Sequence, residues 1–150
     1  MSDDFGFLHG TWSVHNRRLK RRLVGSTEWE EFTGTSTVIP VFGGAGNVDE
    51  IDFGGDRGRG LTLRLYDTEA GTWSLHWAHD AGGRLFPPIV GTFTGGVGTF
   101  YGDDVEGGTP VTVRFVWSGI GPATARWEQS FSADGGETWE LNWIMEFTRL

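Results

Sequence analysis

From Thr11 onward, apolar and polar residues alternate with a period of two, and glycine-rich links interrupt the alternation at intervals. This pattern is typical of antiparallel strands that bury one face and are joined by tight turns. No segment carries a long helical repeat. The predicted strands span 11–23, 29–39, 46–53, 60–67, 72–79, 88–94, 97–103, 110–118, 123–132 and 138–149.

These strands predict an all-β fold, a single antiparallel up-and-down barrel of about ten strands that forms one domain over 1–150. Closure is expected because it removes the exposed edges that an open sheet of this size would leave. A two-sheet sandwich is the main alternative. Residues 3–9 predict a short helical turn that plugs one end of the barrel with Phe5, Phe7 and Leu8.

The alternation also assigns side chains to the two faces of each strand. We expect the apolar face to point inward, because burying each such side chain stabilises the fold by about 2 kcal/mol. Ten strands enclose more volume than side chains easily fill, so the sequence predicts a partly open, aromatic-walled cavity. The inward rows are Leu61, Leu63 and Leu65; Trp73, Leu75, Trp77 and His79; Val111, Val113, Phe115 and Trp117; Ala125, Trp127, Gln129 and Phe131; and Trp139, Leu141, Trp143, Met145 and Phe147.

Polar residues on inward rows are candidate ligand contacts, because a buried polar group needs a partner. They are Asn16, Gln129, Tyr101 and either Asp49 or Glu50, between which the sequence does not choose. Arg114 and Glu128 fall on the outer faces of neighbouring strands, which predicts a cross-strand salt bridge. A register slip of one residue would instead turn both into the cavity.

The net charge of −8 argues against nucleic acid as the main partner, although Arg17, Arg18, Lys20, Arg21 and Arg22 form a basic cluster. That cluster is interpreted as a solvated strand end or as a local patch for an anion. The absence of cysteine excludes disulfides and thiolate metal sites. An acidic start and the lack of a long apolar run predict a cytoplasmic protein without a signal peptide or membrane insertion.

The segment Gly10-Thr11-Trp12 at the start of the first strand resembles the Gly-x-Trp signature of the calycins, the lipocalin and fatty-acid-binding barrels. The resemblance implies that Arg149, near the end of the last strand, lies across Trp12 and ties the barrel ends together. Segments 7–12, 46–50, 100–104 and 139–145 are similar to a family of uncharacterised bacterial calycin-like proteins. That likeness implies a fold but no activity.

The chain is also distantly similar to nitrobindin, a haem barrel whose iron is held by a histidine near the C-terminal end. The last histidine here is His79, so a haem site of that kind is disfavoured and no cofactor is expected. His76 and His79 fall on opposite strand faces, which disfavours a joint metal site. Residues 132–139 match a single Asp-box of sialidases, for which we expect only a local turn organised by Asp134.

Two functions remain open. In the first, the cavity binds a small hydrophobic or aromatic molecule. In the second, a cyclase or isomerase acts on a polyketide or terpenoid intermediate in the same cavity, with His79 and Tyr101 moving protons. A homodimer is compatible with the sequence. The candidate ligand contacts are Asn16, Glu50, Trp77, His79, Tyr101, Arg114, Trp117, Glu128, Gln129 and Trp143.

Overall fold

The computed structural model describes residues 3–150, which form a closed antiparallel barrel of ten strands. Each strand pairs with its neighbours in the chain, and β1 pairs with β10 to complete the circle. The predicted ten-strand up-and-down barrel is therefore confirmed, and the sandwich is excluded. The strands are β1 Gly10–Leu19, β2 Trp29–Val41, β3 Gly46–Asp52, β4 Arg59–Asp67, β5 Thr72–His79, β6 Ile89–Thr94, β7 Val97–Glu106, β8 Thr109–Ser118, β9 Thr124–Ser132 and β10 Glu140–Arg149.

The predicted N-terminal helical plug is wrong as a helix. Only a three-residue 3₁₀ turn forms, at Gly6–Leu8. Burial of its apolar side chains, and not a run of helical hydrogen bonds, fixes this segment. Phe5 and Leu8 both belong to the barrel core. Across residues 3–150, no helix is long and apolar enough to cross a membrane.

The two ends of the chain meet at Trp12 and Arg149, which are paired between β1 and β10. The Arg149 guanidinium carbon lies 4.2 Å from the centroid of the Trp12 ring, as predicted. Its Nη1 and Nη2 donate to the carbonyl oxygens of His9 and Phe7, each at 2.6 Å. Gly10 has a φ of +117°, and a Cβ there would lie 2.7 Å from Arg149 Nη1. The glycine of the Gly-x-Trp segment therefore leaves room for the guanidinium.

The predicted inward faces of β5, β8 and β9 are confirmed, but that of β4 is wrong. Leu61, Leu63 and Leu65 face outward, whereas Thr62 and Arg64 line the interior. The reason lies on the neighbouring strand. Asp49 of β3 points inward and forms an ion pair with Arg64, so the charged face of β4 is the buried one.

A bulge in β10 corrects the predicted face of Trp139. The pairing with β9 shifts between Leu141 and Trp143, leaving Asn142 as the extra residue. Such a bulge reverses the alternation on one side of itself. Trp143 therefore points inward, as predicted, but Trp139 lies outside the barrel against Tyr101.

The turn before β10 has the local role predicted for the Asp-box segment. The Ser132 hydroxyl and the Thr138 backbone N–H both donate to Asp134 Oδ1, at 2.8 and 2.9 Å. The Thr138 hydroxyl donates to the other carboxylate oxygen. Trp139 Nε1 donates to the carbonyl of Gly136, which closes the turn. These donors stabilise the ionised carboxylate.

We expect the Asp134 carboxyl to titrate with a pKa of about 2, mainly because the Thr138 hydroxyl and backbone N–H donate to its charged form. Because the folded-state pKa is depressed, the stabilisation from Asp134 is present above the unfolded pKa and is lost as the pH falls toward 2. A carbon-13 NMR titration of the side-chain carboxyl measures this. The control variant Thr138→Val should raise the midpoint, and an ordinary aspartate midpoint in the unmodified protein would contradict the prediction.

Candidate functional site

Two adjoining cavities lie inside the barrel, and the outer one lies at the end opposite the Trp12–Arg149 contact. The inner cavity is about 80 Å³ and the outer cavity, which reaches the barrel mouth, is about 310 Å³. The four side chains that line both cavities form the partition between them: Trp77, Phe115, Gln129 and Trp143. The other side chains that line the inner cavity are apolar, except for a cluster of polar side chains at one end. The apolar walls are Ile51, Leu75, Trp117, Trp127, Met145 and Phe147.

A buried ion pair forms the polar part of the inner cavity. Arg64 Nη1 lies 2.7 Å from Asp49 Oδ2 and also donates to Asn47 Oδ1 at 2.9 Å. The Arg64 guanidinium lies over the rings of Phe5 and Trp117, at 5.4 and 5.8 Å from their centroids. Burial raises the pKa of Asp49, and the charge of Arg64 opposes that effect. The pair is fixed by neighbours on several strands.

Hydrogen bonds hold the partition side chains in place. Trp143 Nε1 donates to Asn16 Oδ1 at 2.9 Å, and Gln129 Nε2 donates to Asn142 Oδ1 at the same distance. Asn142 is the bulge residue of β10, so the bulge supplies an acceptor inside the barrel. Partition residues anchored in this way present a preformed surface to a ligand.

Space for the Trp77 ring comes from Gly60 on the neighbouring strand. A Cβ at Gly60 would lie 2.0 Å from the Trp77 ring, so no other residue fits there without moving the indole. The Trp77 ring also packs at 6.1 Å from that of Phe53. This contact sets the position of one wall shared by the two cavities.

The barrel mouth is ringed by arginines that stack on aromatic rings. The Arg18 guanidinium lies 4.9 Å from the Trp143 ring and 5.1 Å from the Phe32 ring. Its Nη2 donates to Glu30 Oε1 at 2.7 Å, and this hydrogen bond lowers the pKa of Glu30. Arg57 lies 4.2 Å from the same Phe32 ring, and its Nη2 lies 3.5 Å from Glu30 Oε2. The mouth therefore carries paired charges above an aromatic wall.

The β1–β2 connection, residues 20–28, reaches across the mouth to two distant strands. Arg22 Nε donates to Glu106 Oε1 of β7 at 2.8 Å. The backbone N–H of Leu23 donates to the carboxylate of Glu140 in β10, and Leu23 has a φ of +63°. Three residues of the basic cluster thus pair with acids within the protein, Arg18 with Glu30, Arg21 with Glu28 and Arg22 with Glu106.

Five of the predicted ligand contacts face the interior. Trp77, Trp117, Gln129 and Trp143 line the cavities, and Asn16 is fully buried behind Trp143. The structure brings these five together from strands β1, β5, β8, β9 and β10.

Four others lie on the outer surface, which corrects the inward positions predicted for Glu50 and Tyr101 and agrees with the outer faces that the alternation gave for Arg114 and Glu128. Glu50 forms an exterior ion pair with Arg59, so of the two candidate acids it is Asp49 that enters the cavity. Tyr101 is 48% exposed because its neighbour Phe100 takes the inward position. Arg114 and Glu128 face outward, yet the predicted salt bridge between them is wrong: Arg114 stacks on Trp139, and Glu128 lies 3.5 Å from Arg126.

His79 is held at the mouth by backbone groups. His79 Nδ1 lies 3.1 Å from the backbone nitrogen of Ala81 and 3.3 Å from Asp80 Oδ1, and Nε2 lies 2.9 Å from the carbonyl oxygen of Arg57. The ring stacks on Phe53 at 6.3 Å. Both ring nitrogens are therefore occupied, which leaves neither available as a proton acceptor in this arrangement.

No family model matches the chain, and no curated protein does. The site must therefore be interpreted from its own geometry.

Sequence reasoning missed the inward-facing polar residues Ser36, Thr62 and Arg64, together with Arg18 at the mouth. The signal for Arg64 was limited to its separation from the leucines on alternate positions, which does not tell which of the two sets is buried. Ser36 and Thr62 give no comparable signal, because both residue types are common on outer strand faces.

Proposed function

We propose that this protein binds a small, largely apolar, ring-containing molecule, and that its barrel is of the calycin type. The observation that carries the binding proposal is the pair of adjoining cavities with a shared aromatic partition. The outer cavity, at about 310 Å³, lies at the lower end of the range of about 300–1,000 Å³ that is usual for small-molecule pockets. The inner cavity adds a narrow extension with a polar end.

The chemistry of the walls supports an aromatic or otherwise flat ligand. Indole and phenyl rings offer stacked and edge-to-face contacts that saturated side chains do not. Trp77, Phe115 and Trp143 line both cavities, and Trp127 faces the inner one. Binding would bury ligand surface against these rings and displace water from the outer cavity.

Binding is favoured over the enzyme alternative because of what faces the cavities. Tyr101 is on the exterior, and both nitrogens of His79 bond to backbone groups. The proton-transfer roles considered for these two residues therefore have no support in their geometry. The same occupied nitrogens of His79 argue against its ligating haem iron.

The neutral fluorescent probe N-phenyl-1-naphthylamine tests the proposal. Its emission should rise and shift to the blue on binding, and excitation of the nearby tryptophans should transfer energy to it. Val113→Phe projects a ring into the outer cavity and should weaken binding by about tenfold or more. Val116→Phe is the matched control, because Val116 lies three positions away on the opposite face of β8. Equal binding by both variants, or no binding by the unmodified protein, would overturn the proposal.

A further inference from the structure

The buried polar end of the inner cavity has hydrogen-bond donors without partners. Arg64 is 5% exposed, and among the described residues only its Nη1 finds acceptors, on Asp49 and Asn47. Its Nε has no hydrogen-bond partner within residues 3–150, and the same holds for Asn47 Nδ2. Arg64 itself lines the inner cavity, and a guanidinium carries five N–H donors, so it has donors left over for an acceptor that a ligand places there.

The charge of this group is already balanced inside the protein. Arg64 faces Asp49 at 2.7 Å, and in the described part of the chain no other ionisable side chain lines the inner cavity. A ligand carboxylate would place a second anion beside one buried cation, without water to screen the repulsion. A neutral oxygen acceptor meets no such penalty. It would accept from the guanidinium while leaving the ion pair intact.

The four partition side chains limit which part of a ligand can reach Arg64. Trp77, Phe115, Gln129 and Trp143 border both cavities, so a ligand with its ring in the outer cavity would have to place a small group between these side chains to reach the inner one. The inner cavity, at about 80 Å³, has room for such a group and not for a further ring system. The polar group must therefore be small and terminal.

We infer that the ligand is a neutral aromatic carbonyl compound, with its ring in the outer cavity and its carbonyl oxygen directed at Arg64. This inference rests on the proposed binding function and specifies the ligand class. The ion pair selects against acids, because Asp49 already occupies the anionic position beside Arg64. The negative charge of Asp49 thus gives the site its preference for neutral ligands over acids.

Three naphthalenes of similar shape test the inference by displacement of N-phenyl-1-naphthylamine at neutral pH: 2-acetylnaphthalene, 2-ethylnaphthalene and 2-naphthoate. The ketone should bind about tenfold tighter than the hydrocarbon, because a charged donor forms a strong hydrogen bond. The carboxylate should bind most weakly. Equal affinities of the ketone and the hydrocarbon would overturn the inference and leave the binding function intact, whereas failure of all three and of the probe would overturn both.

Two variants identify Arg64 as the donor. Asp49→Leu combined with Arg64→Met removes both charges and should abolish the preference for the ketone over the hydrocarbon. Asp49→Asn alone leaves Arg64 uncompensated and should shift the preference toward 2-naphthoate. If Asp49→Asn does not fold, the double variant still decides, and a ketone preference that survives in it contradicts the inference.

An infrared measurement on the unmodified protein is independent of folding effects. The carbonyl stretch of bound, carbon-13-labelled 2-acetylnaphthalene should lie at lower frequency than in hexane, since a hydrogen bond from a cation weakens the C=O bond. The stretch should return toward the hexane position in the double variant. A bound ketone with a hexane-like stretch would show that its oxygen does not meet Arg64, and would overturn the inference.

Discussion

Replacing Arg64 by methionine is expected to destabilise the barrel by about 3–5 kcal/mol, because it leaves the Asp49 carboxylate buried without its partner. Arg64 and Asp49 are both almost fully buried, and each faces the inner cavity. A loss of this size is a large part of the roughly 5–15 kcal/mol by which a domain is usually stable. Equilibrium unfolding in urea measures it, with the far-ultraviolet dichroism of the sheet as the signal.

The double variant Asp49→Leu, Arg64→Met is the matched control for that loss. It removes both charges and replaces them with apolar side chains of similar size, and such replacements of buried ion pairs are often close to neutral. We expect its free energy of unfolding to lie within about 1 kcal/mol of the unmodified protein. A double variant as unstable as Arg64→Met would mean that the packing of these side chains, and not the unpaired charge, accounts for the loss.

Much of the barrel is predictable because period-two alternation is a local property. In β5 and β8 the apolar residues point inward, so their hydrophobicity alone identifies the buried face. Tryptophans such as Trp77 and Trp117 were located correctly for this reason. Arg149 could also be assigned its contact with Trp12, because the resemblance to the calycins names both positions.

The polar end of the site could not be predicted by the same reasoning. Alternation separates Arg64 from the leucines beside it, but it does not tell which set is inside. That choice depends on Asp49, which lies on another strand and faces Arg64 only in the observed register. The energy of a buried ion pair depends on the distance between two charged groups on different strands. The sequence of either strand alone therefore does not predict the pair.

The bulge at Asn142 limits prediction in a second way. It reverses the alternation within β10, so that Trp139 and Trp143 lie on opposite faces although the sequence assigns them to one. The contacts across the barrel mouth are even harder to predict from the sequence. Arg22 pairs with Glu106, and Leu23 with Glu140, across most of the chain length, and only the closed barrel brings them together.

Closure itself should depend strongly on Trp12, and replacing it by alanine is expected to cost about 3–5 kcal/mol, as removal of a buried aromatic side chain usually does. Trp12 is fully buried, packs edge-on against Phe147 and donates from Nε1 to the carbonyl of Leu8 at 2.8 Å. Its loss also removes the ring under the Arg149 guanidinium. In a protein of this size the midpoint of thermal unfolding should fall by roughly 10 °C.

Two further variants divide that loss between packing and the cation–π contact. Trp12→Phe keeps a ring beneath the guanidinium and gives up the hydrogen bond to Leu8, so it should be clearly more stable than Trp12→Ala. Arg149→Met removes the charge and its hydrogen bonds to the carbonyls of Phe7, His9 and Pro122. If Trp12 and Arg149 act together, the double variant Trp12→Ala, Arg149→Met should lose less stability than the two single losses added. Either single variant already removes the interaction energy between the stacked ring and the cation, so the double variant cannot lose it a second time. If the two single losses add exactly in urea unfolding, Trp12 and Arg149 stabilise the closed barrel through independent contacts.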